Sequence, residues 1–200
     1  IMSSDWSSDV CSSDLMATTT TMKLLGTSIG KKAIMAVTGV ILAGFVVVHL
    51  LGNLQIFLGR GTINAYAEFL SQTAALAWPV RVIMLVAVLL HIVTALQLIA
   101  QKLRARPSRY RRRTYTETTI SSRWMIWTGP LLALYVVYHL LHQTFGTVHQ
   151  QFISGDVYHN LVVAFSDVPI AAGYMVAMVI LGLHLRHGVW SLFQTLGLNS

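Results

Sequence analysis

Four long stretches of this chain carry no charged residue: Ala33 to Gly59, Val82 to Gln101, Trp124 to Gly155 and Val168 to Leu185. A helix that crosses a hydrocarbon core of about 30 Å needs about 20 apolar residues, so each stretch is near or above the length of one crossing. Lipid offers no partner to backbone N–H and C=O groups, which leaves helices and closed barrels as the spanning structures. The apolar runs are continuous and do not alternate, which argues against a barrel. The expectation is an all-α membrane protein, a bundle of four transmembrane helices at about 33–58, 80–101, 124–146 and 168–187. Composition agrees: 54% of the residues are hydrophobic and only 10% charged, against about a quarter charged in soluble domains.

Residues 1–15 stand apart. They repeat a Ser-Ser-Asp unit and contain neither a basic n-region nor an apolar h-region, so they do not form a signal peptide. We read them as a non-native or disordered leader, with a single transmembrane domain over 16–200 that starts at Met16. The leader holds the only cysteine, Cys11, so the domain itself has no means for disulfides, cysteine-bound zinc, iron–sulfur clusters or covalent c-type haem attachment. It also holds Asp5, Asp9 and Asp14, without which the net charge of +7 becomes +10.

The basic residues are unevenly placed. Lys23, Lys31 and Lys32 precede the first span, Lys102, Arg104, Arg106, Arg109, Arg111, Arg112, Arg113 and Arg123 lie between the second and third, and Arg186 ends the fourth. The opposite side has only Arg60 and Arg81. The positive-inside rule then puts the N-terminus and the basic loop in the cytoplasm and the other two loops outside. Those outer loops read as semi-amphipathic, with room for short interfacial helices. Pro79 and Pro169 suit helix starts, and Pro130 falls inside the third span, where neighbours must satisfy the freed carbonyl. The basic loop serves topology and also suits an acidic soluble partner or anionic membrane lipid. Nothing in it is arranged as a nucleic-acid reader.

Each span carries one deeply placed histidine: His49, His91, His139 and His184. Ionisable side chains inside a membrane are costly and usually functional. At 1.5 Å per residue, His49 lies roughly 24 Å beyond Ala33 and His139 roughly 22 Å beyond Trp124, both toward the outer side. The other two spans run the opposite way, placing His91 roughly 14 Å past Val82 and His184 roughly 24 Å past Val168. These belong to the inner half, with a looser match of about 10 Å. The spans thus define an outer pair, His49 with His139, and an inner pair, His91 with His184. Bis-imidazole pairs on facing helices fit the iron of two b-type haems, held by axial ligands and packing. Zinc wants three or four protein ligands at one level, di-iron bundles want intramembrane Glu, and copper usually recruits Cys or Met in fixed spacing. The blander alternative is hydrogen bonding of each histidine to a neighbouring helix.

The remaining histidines are weaker candidates. His142 and His187 follow His139 and His184 by three residues and are reserve ligands; His142 is expected near the outer interface and His187 at a propionate or the headgroups. His149 and His159 are expected to be solvated in the outer loop. Gly39, Gly44, Gly129, Gly173 and Gly182 leave room either for a porphyrin edge or for close helix packing.

The segments Val47-Val48-His49-Leu50, Leu89-Leu90-His91-Ile92, Val137-Tyr138-His139-Leu140-Leu141-His142-Gln143-Thr144 and Leu183-His184-Leu185-Arg186-His187-Gly188-Val189-Trp190-Ser191-Leu192 resemble the single-anchor, dihaem cytochrome b subunit of succinate:quinone oxidoreductases and fumarate reductases. The resemblance runs from Met22 to Ser200, and His-x-x-x-Gly-x-Trp-Ser is its most distinctive piece. It implies axial ligation of an outer haem b by His49 and His139 and of an inner haem b by His91 and His184. It also implies flavoprotein and iron–sulfur partner subunits on the cytoplasmic side, a quinone (usually menaquinone) as electron acceptor, and a place in the bacterial cytoplasmic membrane. The family usually has a fifth span, which this sequence lacks after the Trp-Ser motif. Some relatives carry a membrane Glu shortly before the last ligand, where this chain has Gly182 and Leu183. Succinate oxidation itself is not expected here, because no flavin fingerprint or cluster cysteines are present. Arg81, Glu68 and Tyr66 are the outer-face candidates for a quinone site.

Two other readings use the same residues. Cytochrome b subunits of hydrogenases and formate dehydrogenases also use four spans, but one ligand on each span favours the succinate family. A small transporter or proton-conducting bundle would use the histidines as relays, without pigment.

Overall fold

The computed structural model describes residues 26–105, 120–195 and 197. The leader, Met16, Lys23, the central part of the basic loop and residues 198–200 lie outside them. Among the described residues six α-helices follow in chain order: α1 (Ser28–Asn53), α2 (Arg60–Gln72), α3 (Ala74–Arg104), α4 (Ile120–His139), α5 (Val157–Ser166) and α6 (Val168–Thr195). No strand occurs among the described residues. Four segments are long and apolar enough to cross a membrane: Ser28–Leu58, Ala77–Arg104, Trp124–Thr144 and Val168–Thr195. The protein is an all-α, multi-pass membrane bundle.

Local chemistry sets the ends. Thr27 caps α1 by accepting the Gly30 N–H at 3.1 Å, and Asp167 caps α6 through its Oδ1 and the Ile170 N–H at 3.1 Å. Pro169 therefore sits in the first turn of α6, as expected. Pro79 does not begin its helix; α3 already starts at Ala74. The uncharged run hides that start because Arg81 interrupts it, and the guanidinium of Arg81 lies 5.4 Å over the Trp78 ring. This cation–π pair is an interfacial anchor, the kind of contact found where a span leaves the bilayer. After α1 the chain makes a 3₁₀ turn (Leu54–Leu58), and after α4 a π-helical turn (Leu140–Thr144).

Two hairpins build the bundle. Helix α1 packs closely along α3, and α4 along α6; the two hairpins meet along a shorter stretch of α1 and α6. One end of the bundle carries Lys31, Lys32, Lys102, Arg104 and Arg186 and is the basic end. The other end is covered by α2, α5 and the loop from Phe145 to Asp156, and forms a polar cap.

The cap is held by buried side chains. Asp156 caps α5 by accepting the His159 N–H at 3.2 Å, accepts the Asn64 amide at 2.8 Å, and pairs with Arg60. Asn64 returns the contact by accepting the Tyr158 N–H at 3.0 Å. Asn160 ties down the loop through two 2.9 Å bonds, to the N–H and the C=O of Ile153. The turn at Gly146 has φ +68°, and a Cβ there would stand 2.3 Å from the Phe152 ring, so glycine is required.

The Asn64 amide foremost, with the His159 N–H and Arg60, holds the Asp156 carboxyl below its ordinary value of 3.8, against an opposing desolvation. A carboxyl with a depressed folded-state pKa stabilises the fold above its unfolded pKa and loses that contribution as pH falls through the folded one. Acidification below about pH 4 should therefore loosen the cap. Hydrogen exchange of the α5 amides followed against pH checks this, and Asp156→Asn should remove most of the pH dependence.

Candidate paired-imidazole sites in the membrane

The four span histidines meet in two pairs. His49 and His139 have ring centroids 5.8 Å apart at an interplanar angle of 86°. His91 and His184 have centroids 6.4 Å apart at 59°. Each pair joins one hairpin to the other: α1 to α4 near the cap, and α3 to α6 toward the basic end. The level mismatch expected for His91 disappears with the true helix start. Counted from Ala74, His91 lies roughly 26 Å along α3, against roughly 24 Å for His184 along α6.

These separations can be tested against iron. A metal–imidazole nitrogen bond is about 2.0–2.1 Å and the nitrogen lies about 1.1 Å from its ring centre, so two imidazoles trans on one metal have centroids about 6.3 Å apart. Both observed values are close to this. The match rests on centroid separation, and at the outer pair a metal on His49 Nε2 would have to displace the Asn53 amide that lies 3.0 Å from it. No cluster of three or more His, Cys, Asp or Glu occurs among the described residues.

The second ring nitrogens differ between the pairs. At the basic end, His91 Nδ1 lies 3.1 Å from Thr38 Oγ1 on α1, and His184 Nδ1 lies 3.2 Å from Thr128 Oγ1 on α4. Both threonines are buried, at 3% exposure. Near the cap, His49 Nε2 accepts the Asn53 amide at 3.0 Å, while His139 Nδ1 is buried with no hydrogen-bond partner. An orphaned buried ring nitrogen is uncommon and calls for a partner the described polypeptide does not supply. Stacking fixes these two rings: Phe45 lies 5.4 Å from His49, and Tyr135 lies 5.8 Å from His139.

Four of the five candidate span glycines face open space. A Cβ built at Gly44, Gly129, Gly173 or Gly182 would meet nothing within 4 Å, whereas one at Gly39 would stand 3.7 Å from His91 Cε1. Close packing within this chain therefore does not account for those four, although a glycine inside a helix costs about 1 kcal/mol relative to alanine.

Three of the other four histidines belong to the cap, and His187 lies beside Arg186 toward the basic end of α6. His142, in the π-helical turn, is the most deeply buried large side chain, at 1% exposure; its Nδ1 lies 2.9 Å from the Tyr174 hydroxyl and 3.2 Å from the Gln143 amide nitrogen. His149 is not solvated as expected. It is buried, stacks on His142 with centroids 4.9 Å apart, accepts the Gln151 N–H at Nδ1 and donates from Nε2 to Asn160 O at 2.9 Å. His159 is half-buried and donates to Gln151 O at 3.1 Å. The loop's polar sequence concealed a folded cap, because its burial comes from α2 and α5 closing over it. The outer-face quinone candidates have local duties: Tyr66 packs against Gly52, Glu68 accepts the Gln72 amide at 2.8 Å, and Arg81 covers Trp78.

Thr38 and Thr128 were missed as site residues, yet a signal for them exists. Each stands eleven residues before a span histidine (Thr38 before His49, Thr128 before His139), and each is followed by glycine. Eleven residues are close to three turns of helix, which puts Thr and His on one face.

The fold and site define a class: a four-span helical membrane protein with paired imidazoles at two depths. No protein-family model, curated protein or solved structure matches the chain.

Proposed function

We propose that the chain is the dihaem b membrane anchor of a succinate dehydrogenase or fumarate reductase complex. In this reading His49 and His139 hold an outer haem, His91 and His184 hold an inner one, and electrons pass between a cytoplasmic iron–sulfur subunit and a membrane quinone such as menaquinone. The observation that carries it is that four histidines from four spans form two cross-hairpin pairs, each at the separation of imidazoles sharing one metal. The unfilled space at the helix glycines and the orphaned His139 nitrogen support it.

When bound, two such haems supply one-electron relays at two depths. The polypeptide does the rest. Its two hairpins hold the rings at fixed separation, the spans exclude water, and the cap shields the outer pair from the aqueous side. The basic residues at the other end orient the chain with that end in the bacterial cytoplasm and offer a surface for an acidic partner subunit.

The test is pigment. Purified protein should show a b-type reduced-minus-oxidised absorption spectrum, and pyridine haemochrome assay should give about two haems per chain. A colourless chain that takes up no haem when expressed with ample haem supply would sink this reading and favour a histidine-relay bundle.

A further inference from the structure

The two hairpins share one plan at the basic end. In each, a Thr-Gly pair on the first helix (Thr38-Gly39 on α1, Thr128-Gly129 on α4) faces the histidine of the helix packed against it, His91 on α3 and His184 on α6. The threonine hydroxyl has a single proton to give. In Thr38 it goes to the Ile34 carbonyl, 2.8 Å away, nearer than His91 Nδ1 at 3.1 Å; the Thr128 hydroxyl stands between the Met125 carbonyl at 3.4 Å and His184 Nδ1 at 3.2 Å. A hydroxyl that has spent its proton can only accept. The proton between Thr38 and His91 therefore sits on the imidazole, as Nδ1–H, and leaves Nε2 as a bare lone pair; the matching Thr128–His184 contact accommodates the same tautomer. Two rings from opposite hairpins thus stand beside each other with centroids 6.4 Å apart, and Nδ1–H on both leaves both Nε2 atoms able to bind a metal.

We infer that Thr38 and Thr128 are matched positioning residues that lock His91 and His184 as Nδ1–H, Nε2-ligating imidazoles and so preset the inner site for haem iron. The outer pair has no such device: His49 Nε2 is engaged by Asn53, and His139 Nδ1 is orphaned. This inference rests on the haem reading and adds to it that the inner site grips its haem more firmly, through two hydroxyls. An acceptor on Nδ1–H also makes imidazole a stronger donor to ferric iron, so the same hydroxyls lower the inner haem's reduction potential.

The experiment uses the full chain with Thr38→Val, Thr128→Val, Thr38→Ser and Thr128→Ser. Valine keeps the shape and removes the oxygen; serine keeps the oxygen and trims the methyl. Haem loss to excess apomyoglobin and spectroelectrochemical titration are read for each haem separately. Removing such an outer partner typically weakens metal binding by about 10–100-fold. The expected result is inner-haem loss faster by about that factor in the valine variants. The inner potential should rise, the outer haem should stay unchanged, and the serine variants should remain near the parent. Valine variants that match the parent in both readouts overturn the inference and leave the haem reading standing. So do serine and valine variants that shift alike, or inner and outer haems lost together. A parent chain that binds no haem overturns both.

Discussion

Replacing His49 with alanine should leave a chain that holds about one haem instead of two, with the outer spectral component gone and the inner one retained. The reason is geometric. His49 meets only His139 among the span histidines, and its loss leaves the α3–α6 pair with its threonine partners intact. His91→Ala should do the reverse. If the chain passes electrons to quinone as proposed, that flow should fall in both variants by at least about tenfold, because loss of a metal ligand exceeds the 10–100-fold cost usual for an outer-shell partner. Haem stoichiometry with low-temperature spectra checks the result. Loss of both components from either single variant, or of neither, would contradict the pairing.

The second large effect lies in the cap. Asn160→Ala should destabilise the loop over Phe145 to Asp156 by about 1–3 kcal/mol. Asn160 is buried and makes both bonds to Ile153 at once, so truncation leaves an N–H and a C=O without their partner. It also loosens the segment whose Asn160 carbonyl receives the His149 ring. Faster hydrogen exchange between His149 and Asn160, with the spans still protected, is the expected signature. Asn160→Asp keeps an acceptor for the Ile153 N–H but loses the donor, and should fall between the two. Unchanged exchange in Asn160→Ala would show that the cap is held from elsewhere.

Much of this architecture could be read from residue order. The uncharged runs located the four spans because lipid leaves a helix few alternatives, and the histidine depths paired the rings because a helix rises by a constant amount per residue. The start of α3 was harder, since Arg81 looks like a boundary until its guanidinium is seen over Trp78. The cap was invisible for a different reason: His149, Asn64 and Asn160 are polar residues whose burial depends on contacts distant in sequence. Thr38 and Thr128 were overlooked because a threonine in a span usually bonds its own helix carbonyl, and Thr38 does so as well as receiving His91. Only the repetition of Thr-Gly eleven and ten residues before a histidine in two spans marks them out.

The hairpins divide every pair between them. Neither α1 with α3 nor α4 with α6 owns both rings of a site, so half of the molecule inserted alone would present single imidazoles at two heights and grip nothing. On the proposed reading, a group held between the paired rings would join the halves and work as a rivet against their parting. The hairpins already meet along α1 and α6 and through the cap, where Asn64 and Arg60 hold Asp156, and such a rivet would add a second tie deeper in the bundle.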